Sequence, residues 1–203
     1  MFWDMIAGIY DLFGYVINGE VNRQLCDYVV SCLEETDKVL ECACGTGMIT
    51  AAMAGKVCKI TATDYSEKML EKTRKKCKVY NNVEIRKADI TDLPFEDNSF
   101  DAIIAANVIH LLDEPYRAVS ELYRVCRKGG KIIIPTYVNR NSAWKASLFA
   151  TAVGKSGADF KRQFTFEDYG KFFKRAGYCM IDEKHLNGTV PCAIAVIRKT
   201  EEG

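Results

Sequence analysis

The sequence predicts one doubly wound α/β domain, and three observations carry that prediction. Seven apolar, strand-like runs are distributed along the 203 residues, the first five separated by helical stretches except that the polar, proline-interrupted loop Leu93 to Asp101 leads from the third into the fourth. The first run passes directly into a turn with glycines two residues apart, Gly45 and Gly47, and then into a helix. The last two runs follow a capped helix and are joined by Asn187-Gly188, the signature of an antiparallel hairpin closing a mostly parallel sheet. A chain of this length holds one full core and is too short for two domains of ordinary size.

In order, residues 2–17 concentrate large apolar and aromatic groups, from Phe2 and Trp3 to Val16 and Ile17, with a helical spacing at Phe2, Ile6, Ile9, Phe13 and Ile17. Glu20 to Glu35 follows as an amphipathic helix, with Val21, Leu25, Tyr28, Val29 and Cys32 on one face. Thr36-Asp37 separates it from the first strand at Val39, and Met48 to Ala54 is helical after the glycine turn. Val57 to Thr63 is the second strand and ends on Asp64. Ser66 is placed to cap a helix running to Cys77, with Met69 and Leu70 inward and the basic residues Arg74, Lys75, Lys76 and Lys78 on its wet face. Val83 to Lys87 is the third strand and Ala102 to Ala106, nearly all apolar, the buried fourth. A helix from Glu114 to Arg127 is expected to stop at Gly129-Gly130, before a fifth strand from Lys131 to Pro135. The stretch Thr136 to Phe164 has no clear period. A helix from about Thr165 to Ala176 then precedes the strands Tyr178 to His185 and Pro191 to Arg198.

The chemistry gathers at the carboxyl ends of the early strands, where such a sheet binds ligands. Asp64 lies at the end of the second strand, where a carboxylate accepts from the two hydroxyls of a ribose. A nicotinamide or flavin fingerprint wants a third small residue where this chain has Thr50, and a GxxxxGK[ST] phosphate loop is absent. Glu41, just before the turn, would oppose a pyrophosphate but suits a cationic group. An adenosine joined to an amino acid fits these residues best.

Taken together, Glu41 to Gly47, Asp64, Lys87-Ala88-Asp89 and Phe95 to Asp101 resemble a class I S-adenosylmethionine-dependent methyltransferase. The likeness is to the small-molecule branch that includes the ubiquinone and menaquinone biosynthesis C-methyltransferases, and it covers residues 36–135. The resemblance implies a Rossmann-like seven-stranded sheet, S-adenosylmethionine as methyl donor and S-adenosylhomocysteine as product. It implies Ala43, Gly45 and Gly47 against the methionine moiety, Glu41 supporting its amino end, Asp64 on the ribose, and Asp89 with Ile90 at the adenine. Tyr65, Met69 and Asn107 complete the expected cofactor side. Ala43 stands where the family's ExGxGxG has its first glycine, the mildest replacement there, so a slightly different turn is expected. His110, at the exit of the fourth strand, is either a cleft group or a cap of the next helix; with Tyr10 it is the candidate for general base or orienting group. Trp3-Asp4 to Tyr10-Asp11 resembles the segment preceding the core in the quinone methyltransferases. That makes residues 1–35 a helical lid or cover, 36–135 the cofactor core, and 136–203 a variable acceptor side, with Trp144, Phe149 and Phe160 in the acceptor cleft.

Composition narrows the acceptor. With 28 basic and 27 acidic side chains, the net charge of +1 offers no field for nucleic acid. The fourth strand is not followed by Asn/Asp-Pro-Pro-Tyr, which methyltransferases of nucleic-acid amines resemble one another in having, and the Pro-Cys at Pro191-Cys192 falls on the terminal hairpin. Nine cysteines without a CxxC pair, and only two histidines, point to reduced thiols in a cytoplasmic protein with no metal site. No signal peptide or membrane span is expected, with at most transient lipid contact through the N-terminal aromatics. The expected partner is a small organic acceptor, quinone-like or lipid-like, methylated by in-line displacement. Two other readings stay open: an S-adenosylmethionine-binding regulatory subunit without turnover, and a nicotinamide-dependent reductase.

Overall fold

The structure is a computed structural model and describes residues 18–139 and 161–200. A helix, α1, occupies residues 18–31, somewhat earlier than expected. It is followed by β1 (Lys38–Cys42), α2 (Met48–Met53), β2 (Lys59–Asp64), α3 (Glu67–Cys77), β3 (Val83–Lys87) and β4 (Phe100–Ala105). After a 3₁₀ turn at Ile109–Leu111 come α4 (Pro115–Val125), β5 (Cys126–Tyr137), α5 (Phe166–Arg175), β6 (Met180–Leu186) and β7 (Cys192–Arg198). The strands form one sheet in the order β3-β2-β1-β4-β5-β7-β6. All pairings are parallel except those of β7, which runs antiparallel between β5 and β6.

Alternation along the central strands builds a core on each face. Leu40, Ile103, Ile132 and Ile134 point to the face covered by α4 and α5, where they meet Val119, Leu122, Phe172 and Phe173. Val39, Ile104, Ile133 and Ile194 point to the other, against Leu25 and Val29 of α1, Met53 of α2 and Leu70 of α3. This two-sided burial explains the unbroken apolar run of β7, which is buried from Cys192 to Ile197. The Ser66 hydroxyl accepts from the Met69 amide, as its capping position requires, and Thr165 caps α5 in the same way through the Asp168 amide.

Two expected boundaries are corrected. Gly129-Gly130 does not end a helix: α4 stops at Val125, and the glycines lie inside β5, which begins at Cys126. Phe100 pairs with Cys126 but Ala102 with Lys131, so β5 carries an outward detour here. Gly129 adopts φ 73°, and a Cβ on Gly130 would come within 2.7 Å of the Asp101 carbonyl oxygen. The second correction concerns the hairpin, whose connection spans residues 187–191 rather than Asn187-Gly188 alone. Gly188 abuts Val21 of α1, where a Cβ would lie 2.2 Å from the valine Cγ2. The buried Asn18 carboxamide donates to the Val190 carbonyl (2.9 Å) and accepts from its amide (3.2 Å), tying α1 to this loop. Asn18→Ala leaves both backbone groups without those bonds and is expected to lower stability by about 1–2 kcal/mol; an unchanged melting temperature would show that water replaces them. Among the described residues no helix is long and apolar enough to cross a membrane.

Candidate functional site

β1 and β4 are neighbours, yet the chain leaves β1 toward β2 on one side and leaves β4 toward β5 on the other. The loops at their carboxyl ends therefore part, and a crevice opens between them. It holds a cavity of about 290 Å³ lined by Ala43, Gly45, Thr63, Asp64, Tyr65, Met69, Ala88, Asp89, Ile90, Ala106, Asn107, Val108, Leu111 and Leu112. Most of the expected cofactor-side residues are thus brought to one place. Glu41 and Gly47 are not on this lining.

The turn after β1 takes its shape from three left-handed residues: Ala43 (φ 53°), Gly45 (56°) and Gly47 (78°). Ala43 therefore keeps the backbone that a glycine would supply, at a strain of about 1–2 kcal/mol. Gly47 packs on α3, where an added Cβ would sit 2.8 Å from the Thr73 Cγ2. Thr73 is a residue that sequence reading missed: its hydroxyl donates to the Gly45 carbonyl at 2.9 Å and pins the turn. The Gly45 amide donates to Asp64 Oδ2 (2.9 Å) and the Ser66 amide to Oδ1 (2.8 Å), so the carboxylate is held from both sides. Asp89 accepts from the amide and hydroxyl of Thr91 through Oδ1 (2.8 and 2.7 Å), which fixes it at the end of β3. Tyr65 is half exposed, with the Lys87 ammonium 5.6 Å from its ring centroid. These residues fit an adenosine-bearing ligand: a fixed carboxylate ends β2, a second ends β3, and nothing larger than the Ala43 methyl projects from the turn's left-handed positions.

Glu41 is buried beneath this turn rather than in the cavity. The fully buried Thr50 donates its hydroxyl to Glu41 Oε2 at 2.5 Å. Burial pushes the carboxyl up to about 8; the Thr50 bond opposes the rise and the charge of Asp64 adds to it. The threonine that breaks the dinucleotide fingerprint thus serves the acid nine residues before it, a pairing that no local pattern signals.

The opposite wall comes from the exit of β4. Asn107 is left-handed (φ 53°); its amide donates to the Pro135 carbonyl at 2.8 Å, and its Oδ1 accepts from the Tyr137 amide at 2.9 Å. Val108, Leu111 and Leu112 make this side of the lining apolar, and the Leu-Leu pair following the strand was the available signal. Arg162 holds this wall: its amide donates to the His110 carbonyl (3.1 Å) and its guanidinium to the Leu112 carbonyl (3.0 Å). His110 itself is turned into the core, 5 % exposed, and burial pushes its imidazole down to about 4. It does not cap α4, which begins at Pro115 with Glu114 in the cap position. Tyr10, Trp144, Phe149 and Phe160 lie outside the described residues. Cys42 and Cys44 are buried and their thiols are pushed up by burial, Cys42 to about 12. Among the described residues no group of three or more His, Cys, Asp or Glu side chains could hold a metal.

Comparison with known proteins agrees with this geometry. The family model described as "Methyltransferase domain" matches residues 40–134. The demethylmenaquinone methyltransferase of Clavibacter sepedonicus is 41% identical over 98 residues, covering 48% of this chain and 40% of that protein. The phosphatidylethanolamine N-methyltransferase of Cereibacter sphaeroides is 36% identical over 114 residues, covering 55% of this chain and 56% of that protein. The chain therefore spans about half the length of these relatives. In fold, it superposes on a crystal structure of a SAM-dependent methyltransferase from Aquifex aeolicus with a TM-score of 0.69 at 20% identity, over 93% of each chain.

Proposed function

We propose that this chain is a class I S-adenosylmethionine-dependent methyltransferase, a reading supported by its match to the methyltransferase-domain model and its likeness to named methyltransferases, and that it transfers a methyl group to a small, largely apolar organic acceptor. The observation that carries this reading is the crevice between β1 and β4, with the Asp64 and Asp89 carboxylates on one side and Val108, Leu111 and Leu112 on the other. When bound, the cofactor supplies a sulfonium-activated methyl group. The chain's own residues bind, align and dry the site. Asp64 accepts from the ribose hydroxyls, and Asp89 with Ile90 borders the adenine. The turn from Ala43 to Gly47 lets the backbone approach the methionine portion, and Glu41 beneath it favours the cationic end. The apolar wall excludes water and aligns the acceptor for in-line attack, the main catalytic demand of such a displacement. His110 is neutral at ordinary pH and buried, which suits support of the wall better than proton removal.

The two relatives are named for demethylmenaquinone and for phosphatidylethanolamine, and we take a quinone-like or lipid-like acceptor as the working substrate class. We further propose that this domain works in the cytoplasm on small molecules and not nucleic acid, with lipid contact no more than transient. A thermal-shift series with S-adenosylmethionine, S-adenosylhomocysteine, NADH and ATP tests the foundation. At 100 times its Kd, a ligand stabilises by about 2.7 kcal/mol. Both S-adenosyl compounds are expected to raise the midpoint and NADH to leave it unchanged; the reverse pattern overturns the reading. Methyl release to a short-chain naphthohydroquinone or phosphatidylethanolamine then separates an enzyme from a binding subunit.

A further inference from the structure

We propose that Asn107 is a positioning residue for the methyl acceptor, and that it presents its carboxamide Nδ2 to an anionic oxygen at or beside the acceptor atom that receives the methyl group. The inference rests on the methyltransferase reading above and narrows its acceptor.

The orientation of the amide is fixed by chemistry. The Tyr137 backbone N–H can only donate, so the Asn107 atom 2.9 Å from it must be the oxygen. The two N–H groups of Nδ2 then remain, and Asn107 lines the cavity. The left-handed backbone and the bond from the Asn107 amide to the Pro135 carbonyl leave the residue little freedom. Tyr137 is itself anchored from behind, its hydroxyl donating to Asn22 Oδ1 of α1 at 2.6 Å. A donor held this firmly is preorganised, and preorganised donors discriminate between oxygen and its absence.

Its place in the sheet favours the acceptor over the cofactor. Asp64 and Asp89 follow β2 and β3 on one side of the switch point, whereas Asn107 is tied to β5 on the other. Its neighbours on the lining are Val108, Leu111 and Leu112, an apolar wall without a carboxylate. The ligand chemistry this recognises is a phenolate or enolate. In the transfer, a pair of electrons from the oxygen or its conjugated carbon forms the new bond to the methyl carbon. The carbon–sulfur bond breaks with its pair going to sulfur, which becomes a neutral thioether, and the acceptor loses its negative charge. An acceptor that enters ionised needs no proton removed for the displacement itself; where a ring carbon takes the methyl group, its hydrogen leaves afterwards as a proton to water while the C–H pair restores the ring, so His110, buried away from the lining, is not required as the base.

The test compares wild type with Asn107→Asp and Asn107→Gly. Aspartate still accepts from the Tyr137 amide but replaces the donors with a repelling oxygen, while glycine keeps the left-handed backbone and deletes the group. Three quantities are measured: the melting temperature, the S-adenosylhomocysteine Kd, and binding of a short-chain naphthohydroquinone to the S-adenosylhomocysteine complex, with kcat/KM for its methylation. Both variants are expected to lose about tenfold or more in naphthohydroquinone affinity and kcat/KM, with Asp the worse, while the S-adenosylhomocysteine Kd moves less than about threefold. An S-adenosylhomocysteine Kd that rises as much as the acceptor's Kd assigns the amide to the cofactor and overturns the proposal. So does unchanged acceptor binding, or a wild-type complex that takes short-chain phosphatidylethanolamine, or neither probe, in place of the naphthohydroquinone. Wild type that binds no S-adenosyl compound defeats the underlying methyltransferase reading instead.

Discussion

Replacing Asp64 by alanine is expected to raise the Kd for S-adenosylhomocysteine by about two orders of magnitude, equivalent to about 2.7 kcal/mol. Two losses combine. The first is direct: the ribose hydroxyls lose a charged acceptor, and bonds of that type are worth about 1.5–3 kcal/mol. The second is geometric, because Asp64 Oδ2 receives the Gly45 amide and Oδ1 the Ser66 amide. Without the carboxylate the turn after β1 and the start of α3 lose their common anchor. Asp64→Asn is not a conservative control, since one of its two positions must then point an NH₂ at a backbone N–H. Isothermal titration of the folded variants decides the matter: an unchanged Kd removes Asp64 from the site, while a lowered melting temperature with unchanged Kd assigns it to the turn alone.

The features that proved legible in the sequence were those whose cause is local. A Ser66 cap needs only the amide three residues on, and the Thr165 cap is of the same kind; both lie where periodicity placed them. The turn between Cys42 and Met48 and the carboxylate ending β2 were equally readable, because their roles follow from backbone freedom and strand direction. What could not be read depends on residues distant in sequence. Gly129-Gly130 looks the same as a helix stop and as a strand detour; the close approach of the Asp101 carbonyl, on a neighbouring strand, decides between them. Asn187-Gly188 has the composition of a two-residue turn, yet α1 claims the connection through Val21 and Asn18. Likewise Thr50 read as a defect in a glycine motif until Glu41 supplied its partner, and Asn107 gains its orientation only from Tyr137 on β5. His110, readable as a cleft histidine or a helix cap, is neither, because the 3₁₀ turn at Ile109–Leu111 rotates it inward.

Glu41 gives the apo-protein a pH dependence of the opposite sign to that of most acids. Its carboxyl is raised from 4.5 to about 8 in the folded chain, chiefly by burial. Below 4.5 both folded and unfolded chains carry the proton, and the favourable contribution of the neutral buried acid is fully present. Between 4.5 and about 8 the unfolded chain ionises while the folded one does not, so stability is lost progressively, and above about 8 the loss is complete. Each pKa unit is worth about 1.4 kcal/mol, which places the whole loss at several kcal/mol. His110 works in the other direction: its imidazole is lowered from 6.5 to about 4, so its contribution is present above 6.5 and lost as the pH falls through about 4. The difference between wild type and Glu41→Gln removes that and every other shared titration. Glutamine keeps an oxygen to accept from the Thr50 hydroxyl and carries no charge, so the two proteins are expected to match within about 1 kcal/mol near pH 4 and the variant to be the more stable by a few kcal/mol near pH 9. Urea unfolding across that range measures the gap, and parallel curves would show that the carboxylate finds solvent or a compensating cation. S-adenosylmethionine brings positive charge toward Glu41 and stabilises its ionised form, so saturation with it is expected to lower the folded pKa and shrink the gap. The same acid that weakens the empty protein at high pH then strengthens its hold on a cationic cofactor.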